Sequence, residues 1–276
     1  EVVKGSLPYE KLCEEYGNYR VFLNVNSVTD SPTMFSRRVF ELLASGTPVV
    51  STYAKGIEEI FGNELVWFVN NEEDTTQALD ALFNDPKVWR QRSLAGIRAV
   101  FTSHTYAERV GFISDCLGLE SNNNDKKIVL LACAKSKNDF NELEIMVKSQ
   151  RYSDFKVMVI ADASLSEISD GRISFVSSLN KVNFSDNTYV SMINLSNNYG
   201  KDYIQDLVNA TKYAPGFDSW GVAVKPEDAF LENKNIYVYS SLIKSPNVSS
   251  LSFRGSANET ILAENSYAID SDQFIP

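Results

Sequence analysis

The segment from Val21 to Thr52 limits the possible folds more than any other part of the chain. Val21 to Asn26 is a short apolar run that reads as a strand, and Arg37 to Ala44 reads as a helix with Val39, Leu42 and Leu43 on one face. Gly46 supplies a left-handed stop, and Pro48 cannot continue the helix. Pro48 to Thr52 is then the next strand and Glu64 to Val69 another. Strands joined by a helix and short connections pair in parallel, which predicts an α/β, Rossmann-like doubly wound sheet. Glu72, Glu73 and Asp74 open a further helix, where their charge complements the terminal dipole; it runs to Asn84-Asp85-Pro86, and more helices follow to Leu117.

Ser121-Asn-Asn-Asn-Asp-Lys-Lys127 has no apolar residue and stands between two strongly patterned regions. It reads as a linker over 121–127 between a domain of residues 1–120 and one of residues 128–276. At 276 residues the chain is long enough for two cores. The second region restarts with a strand from Lys127 to Cys133, a helix from Glu142 to Gln150 and a strand from Lys156 to Ile160. A segment ending at Met192-Ile193 follows, then a helix from Tyr203 to Tyr213. Beyond Trp220 the segments are short and β-rich, such as Ile236 to Ile243, and their pairing is not legible.

The formal charge of −10 argues against a nucleic-acid partner, which needs a basic surface. No apolar run reaches the ~18 residues of a membrane span, and the first residues lack the pattern of a signal peptide. Three cysteines, Cys13, Cys116 and Cys133, stand far apart without a CxxC pair. They read as reduced thiols, two of them in the core, and the expected compartment is the cytoplasm.

The chemistry is concentrated between Asp30 and Thr52. This stretch follows a strand, opens a helix and leads into another strand, and in such sheets ligands bind at the carboxyl ends of the strands. Two helix starts compete, Ser31-Pro32 and Ser36. Ser36 to Glu41 spans ~7.5 Å and Ser31 to Glu41 ~15 Å at the helical rise, so the later start better suits a diphosphate and a ribose bound together. Glu41 is placed to accept both ribose hydroxyls, and Arg37 and Arg38 stand beside the phosphate-facing turn. On spacing alone Glu41 reads first as a solvated surface residue, and Arg37 four positions earlier is placed to pair with it.

Arg37-Arg38-Val39-Phe40-Glu41, Ala44-Ser45-Gly46-Thr47-Pro48-Val49-Val50, Gly56-Ile57-Glu58-Glu59-Ile60-Phe61 and His104-Thr105-Tyr106 with Arg109 occur in order. Together they resemble the C-terminal, nucleotide-binding half of retaining GT-B glycosyltransferases, especially the branch related to spore-maturation glycosyltransferases. The resemblance covers roughly Gly5 to Leu117. It implies a UDP- or GDP-type sugar donor, with Glu41 on the ribose and backbone near Met34, Phe35 and Ser36 on the diphosphate. Many GT-B enzymes carry a second Glu eight positions before the ribose Glu; here that position is Thr33. No catalytic residue is assigned. The other Rossmann half of such an enzyme is expected upstream of Glu1. His104, the only histidine, sits just before a helix between Ser103 and Thr105, which favours capping or packing over catalysis.

Val157-Met-Val-Ile-Ala-Asp162-Ala-Ser164 and Tyr199-Gly-Lys-Asp-Tyr-Ile-Gln-Asp-Leu207 resemble blocks of GT-A glycosyltransferases. The likeness implies a second, GT-A-like α/β domain, with Asp162 a capping residue or a nucleotide contact. Such enzymes hold a divalent metal on an acidic cluster, but this chain has Asn194-Leu-Ser-Asn-Asn198 there. Neutral amides cannot supply that charge, so no metal is expected, unless an acid such as Asp186 or Asp202 arrives from elsewhere. The expected function is sugar transfer from a nucleotide-diphosphate donor to a glycan acceptor, a cell-surface polysaccharide or glycoconjugate. The alternatives are a non-catalytic binding or scaffold module and, third, a nucleotide-sugar epimerase.

Overall fold

The computed structural model describes residues 5–119, 126–161, 170–177, 184–245, 260–261 and 265–275. The chain divides into two compact units, Glu1–Ser121 and Asn122–Pro276. Both are α/β, built on sheets in which parallel pairing predominates.

The first unit runs α1 (Tyr9–Tyr16), β1 (Phe22–Asn24), α2 (Arg38–Ala44), β2 (Val49–Thr52), α3 (Lys55–Leu65), β3 (Val66–Val69), α4 (Glu72–Asn84), α5 (Pro86–Ser103) and α6 (Tyr106–Cys116). Its sheet has the order β1-β2-β3, all parallel, with Phe22 opposite Val49 and Val49 opposite Val66. Alternation along β2 sends Val49 into a core with Leu42, Leu43, Ile57 and Val100, and Val50 into another with Ala78 and Leu82. Helices therefore cover both faces, as a parallel sheet requires. Leu42 and Leu43 are almost fully buried, each contributing about 1.5–3 kcal/mol.

Gly46 closes α2 with φ of +72°, while the Gly46 and Thr47 amides donate to Leu43 and Leu42 carbonyls at 3.1 and 2.9 Å. The strands are shorter than the apolar runs predict. Glu64 and Leu65, expected in the third strand, belong to the end of α3.

The second unit contains β4 (Lys127–Cys133), α7 (Lys137–Ser149), β5 (Phe155–Ile160), β6 (Ile173–Val176), β7 (Thr188–Ile193), β8 (Asn198–Tyr199), α8 (Tyr203–Tyr213), β9 (Ser219–Ala223), β10 (Ile236–Lys244), β11 (Thr260–Ile261), β12 (Ser266–Ile269) and β13 (Phe274–Ile275). The main sheet has the order β12-β9-β10-β7-β4-β5-β6. Its β4–β5, β5–β6, β4–β7 and β9–β12 pairs are parallel, and β10 runs antiparallel to β7 and β9. β4 is central and covered on both faces, so Ile128 to Ala132 are all buried without alternation.

α7 begins five residues before the expected Glu142, because Ser136 caps it by accepting from the Asp139 amide at 3.1 Å. Cys13 and Cys133 are half-buried and Cys116 is exposed, all as free thiols; the expected pair of core cysteines is not observed. Among the described residues no helix is long and apolar enough to cross a membrane.

Candidate functional site

In the first unit a pocket of about 390 Å³ lies beyond the carboxyl end of β1. Val25, Asn26, Ser27 and Val28 form one wall, and Thr33, Met34, Phe35 and Ser36 the other. Ser31 Oγ accepts from the Thr33 and Met34 amides at 3.3 and 3.1 Å, folding a separate turn, and Ser36 Oγ accepts from the Arg38 amide at 3.3 Å. The helix thus starts beside Ser36 and not at Ser31. Among the described residues, the backbone N–H groups of Phe35, Ser36 and Arg37 meet no protein acceptor. With seven residues, α2 adds only a weak dipole.

The loop is fastened from behind. The Lys55 and Gly56 amides, at the start of α3, donate to the Thr29 and Ser31 carbonyls at 2.9 and 3.2 Å. Gly56 is pressed so closely against Pro32 and Phe35 that a Cβ would lie 2.6 Å from the Pro32 carbonyl oxygen.

A polar network at the strand ends was not anticipated. Asn26 Nδ2 donates to Ser51 Oγ at 3.0 Å and to the Thr52 carbonyl at 2.7 Å, and its amide donates to Thr52 Oγ1 at 2.9 Å. Asn24 Nδ2 donates to Ser51 Oγ at 3.0 Å from a buried position. These bonds tie β1 to β2 and fix the Val25–Val28 wall. The only clue was two amides inside a run otherwise apolar, at Asn24 and Asn26.

Glu41 lies elsewhere on α2. Its Oε1 accepts from Tyr9 Oη at 2.8 Å and Arg37 Nε at 2.8 Å, and its Oε2 from Tyr16 Oη at 3.3 Å. The carboxylate side chain is only 19% exposed. The Glu41 hydrogen bond raises the Tyr9 phenol well above its usual range, while burial is the larger cause for Tyr16. Arg37 also lies over the Tyr9 ring at 5.1 Å, and Arg38 over Phe22 at 5.7 Å. The structure therefore gathers Thr33, Met34, Phe35 and Ser36 on the pocket and leaves Arg37, Arg38 and Glu41 outside its lining. The Arg37–Glu41 ion pair is present, but Glu41 is also the shared acceptor of two tyrosines from α1.

His104 ends α5, its amide donating to the Val100 carbonyl at 2.8 Å. Its ring packs edge-on against Phe40 and Phe61 at 5.6 and 5.4 Å, and Arg109 lies over Phe40 at 4.7 Å. These contacts make it a packing residue. Burial, then the Arg109 charge, lower its pKa below the usual 6.5. A neutral ring is thus favoured by the fold, so stability is full above the unfolded value and is lost as pH falls below about 6.5. The lone histidine ring resonance should titrate with a midpoint under 6.5, and the melting temperature should drop across the same range; a midpoint at or above 6.5 would contradict this packing.

In the second unit, Asp162 lies outside the described residues. A pocket of about 310 Å³ sits at the carboxyl ends of β4 and β7. The turn after β7 is closed on itself: Asn194 Oδ1 accepts from the Ser196 amide at 3.0 Å and the Asn194 amide donates to Tyr199 Oη at 3.0 Å. Asp202 is buried and paired with Arg151 at 3.2 Å, and Asp186 is exposed on the loop before β7. Among the described residues no group of three or more His, Cys, Asp or Glu side chains is placed to hold a metal ion. The donor set at this turn, amides and a hydroxyl, does not suit a hard cation.

A Rossmann-like α/β unit with a pocket at the carboxyl edge of its parallel strands belongs to the broad class that binds ligands at strand ends. Residues 1–115, nearly the whole first unit, match the family model described as glycosyl transferase-like, which supports a glycosyltransferase family for that unit. No curated protein matches the chain.

Proposed function

We propose that the first unit binds a nucleotide-diphosphate sugar, of the UDP or GDP type, as donor half of a glycosyltransferase acting on a polysaccharide or glycoconjugate acceptor. The observation that carries this reading is the coincidence of the glycosyl transferase-like match over residues 1–115 with a pocket walled by Thr33–Ser36. Its volume of about 390 Å³ falls within the ~300–1,000 Å³ of small-molecule sites.

The chemistry follows from the groups nearby. The uncommitted amides of Phe35, Ser36 and Arg37 are donors for a departing diphosphate, with the guanidiniums of Arg37 and Arg38 next in sequence. Glu41 accepts ribose hydroxyls when they take the place of the Tyr9 phenol, a like-for-like exchange of O–H donors at one carboxylate oxygen. Thr33 carries no charge, so the reading assigns no carboxylate to the sugar, and it needs no divalent metal.

The test is calorimetric titration of the chain with UDP and GDP, with and without a chelator. Binding with a Kd in the range of about 1 μM–1 mM, unchanged by the chelator, is the expected result. Absence of binding to both nucleotides would remove the basis of the reading.

A further inference from the structure

In the second unit β5 and β6 extend from one side of β4, and β7 lies on the other. Strand order therefore reverses between β4 and β7, and the crevice at the carboxyl ends of such a pair is where open α/β sheets bind ligands. The pocket of about 310 Å³ occupies that place, with Lys135, Asp139, Glu142, Asn194 and Ser196 as its polar lining and Tyr239 also on its wall.

Its charge selects against phosphates. Two carboxylates face one lysine, and the neutral Asn194–Ser196 turn brings no cation. The N-terminus of α7, where an anion would otherwise sit, is already filled by Asp139, which accepts from the Lys135 amide at 2.8 Å and Ser136 Oγ at 2.7 Å. A diphosphate here would meet like charge, and among the described residues no cluster of His, Cys, Asp or Glu is placed to hold a neutralising metal ion.

Hydroxyls fit instead. Among the described residues Lys135 Nζ, Asn194 Nδ2 and Ser196 Oγ make no hydrogen bond within the protein, although the Lys135 charge acts on Asp139, and Glu142 accepts only from Asn138 Nδ2 at 3.0 Å. Free donors and a free carboxylate oxygen around a small pocket match adjacent hydroxyls, which both donate and accept.

We propose that the second unit binds an uncharged saccharide in this pocket, without a metal ion or a nucleotide. That the saccharide is a section of the acceptor glycan rests on the glycosyltransferase reading; the ligand class does not.

The experiment is amide-shift mapping of the isotope-labelled chain with maltose, cellobiose, lactose and diacetylchitobiose, and separately with UDP plus Mg²⁺. At least one disaccharide should shift the amides of Lys135, Glu142, Asn194 and Ser196. Glu142→Ala and Asn194→Ala should each weaken that binding by about tenfold, the loss of one charge-assisted or amide hydrogen bond. Both side chains lie outside the core clusters, so an unchanged melting temperature verifies the fold of each variant. If no disaccharide shifts these amides at the highest soluble concentration, or if Mg²⁺-UDP shifts them, the proposal is overturned. Nucleotide binding by the first unit is read separately, at residues 25–36, so failure of either idea leaves the other legible.

Discussion

Glu41→Ala is expected to weaken UDP or GDP binding by about ten- to a hundredfold. A hydrogen bond to a charged group contributes about 1.5–3 kcal/mol, and the substitution removes the acceptor for the ribose. The residue is already poised: its carboxylate is 19% exposed and held by Tyr9, Tyr16 and Arg37. The same contacts predict a stability cost of about 1–3 kcal/mol, because the hydroxyl of the buried Tyr16 loses its acceptor. The two effects separate with Tyr9→Phe, which removes one of the two donors on Glu41 Oε1, leaving Arg37, while keeping the ring that Arg37 covers. Tyr9→Phe should bind nucleotide at least as tightly as the parent. Equal affinities of the parent and Glu41→Ala, measured by calorimetry, would reduce Glu41 to an anchor for α1.

Gly56→Ala should both destabilise the first unit and abolish the pocket. Its backbone does not have a positive φ, so the conflict is steric alone. The new Cβ would lie 2.6 Å from the Pro32 carbonyl oxygen and 2.8 Å from Phe35 Cδ1. Neither neighbour can yield easily, since the Thr29 and Ser31 carbonyls hold the loop to α3 at 2.9 and 3.2 Å. Overpacking of this kind costs about 1–3 kcal/mol, which lowers a melting temperature by several degrees in a domain of this size. The Phe35 wall must shift, so nucleotide affinity should fall with stability. Gly111→Ala is the control: it lies within α6 with nothing within 4 Å of a Cβ, and alanine is the better helix former by about 1 kcal/mol. A thermal melt comparing the two should show opposite signs.

Much of the first unit was legible because its elements are local. The Val39, Leu42, Leu43 face and the Gly46 stop identify α2 from a single heptad of sequence, and in the second unit the pattern gives α8 its full span, Tyr203–Tyr213. What escaped depends on contacts far apart in sequence. Tyr9 and Tyr16 reach Glu41 across 32 and 25 residues, and no local pattern announces a phenol as partner for a helical glutamate. Asn24 and Asn26 find Ser51 and Thr52 only once β1 and β2 are in register. The β-rich end of the chain resisted reading because β12 pairs in parallel with β9 while β10 covers the other side of β9. α7 was misread at its start because the polar first turn, Lys137-Asn-Asp, hides the Ser136 cap.

The claim beneath this account is that a sugar nucleotide enters the crevice between Val25–Val28 and Thr33–Ser36. Amide-shift mapping of the labelled chain during titration with UDP and GDP tests it most directly. Saturable shifts should centre on those eight residues and spread to Glu41 and Tyr9 as the phenol gives up its hydrogen bond. Shifts confined to any other part of the chain, or none at all, would contradict it.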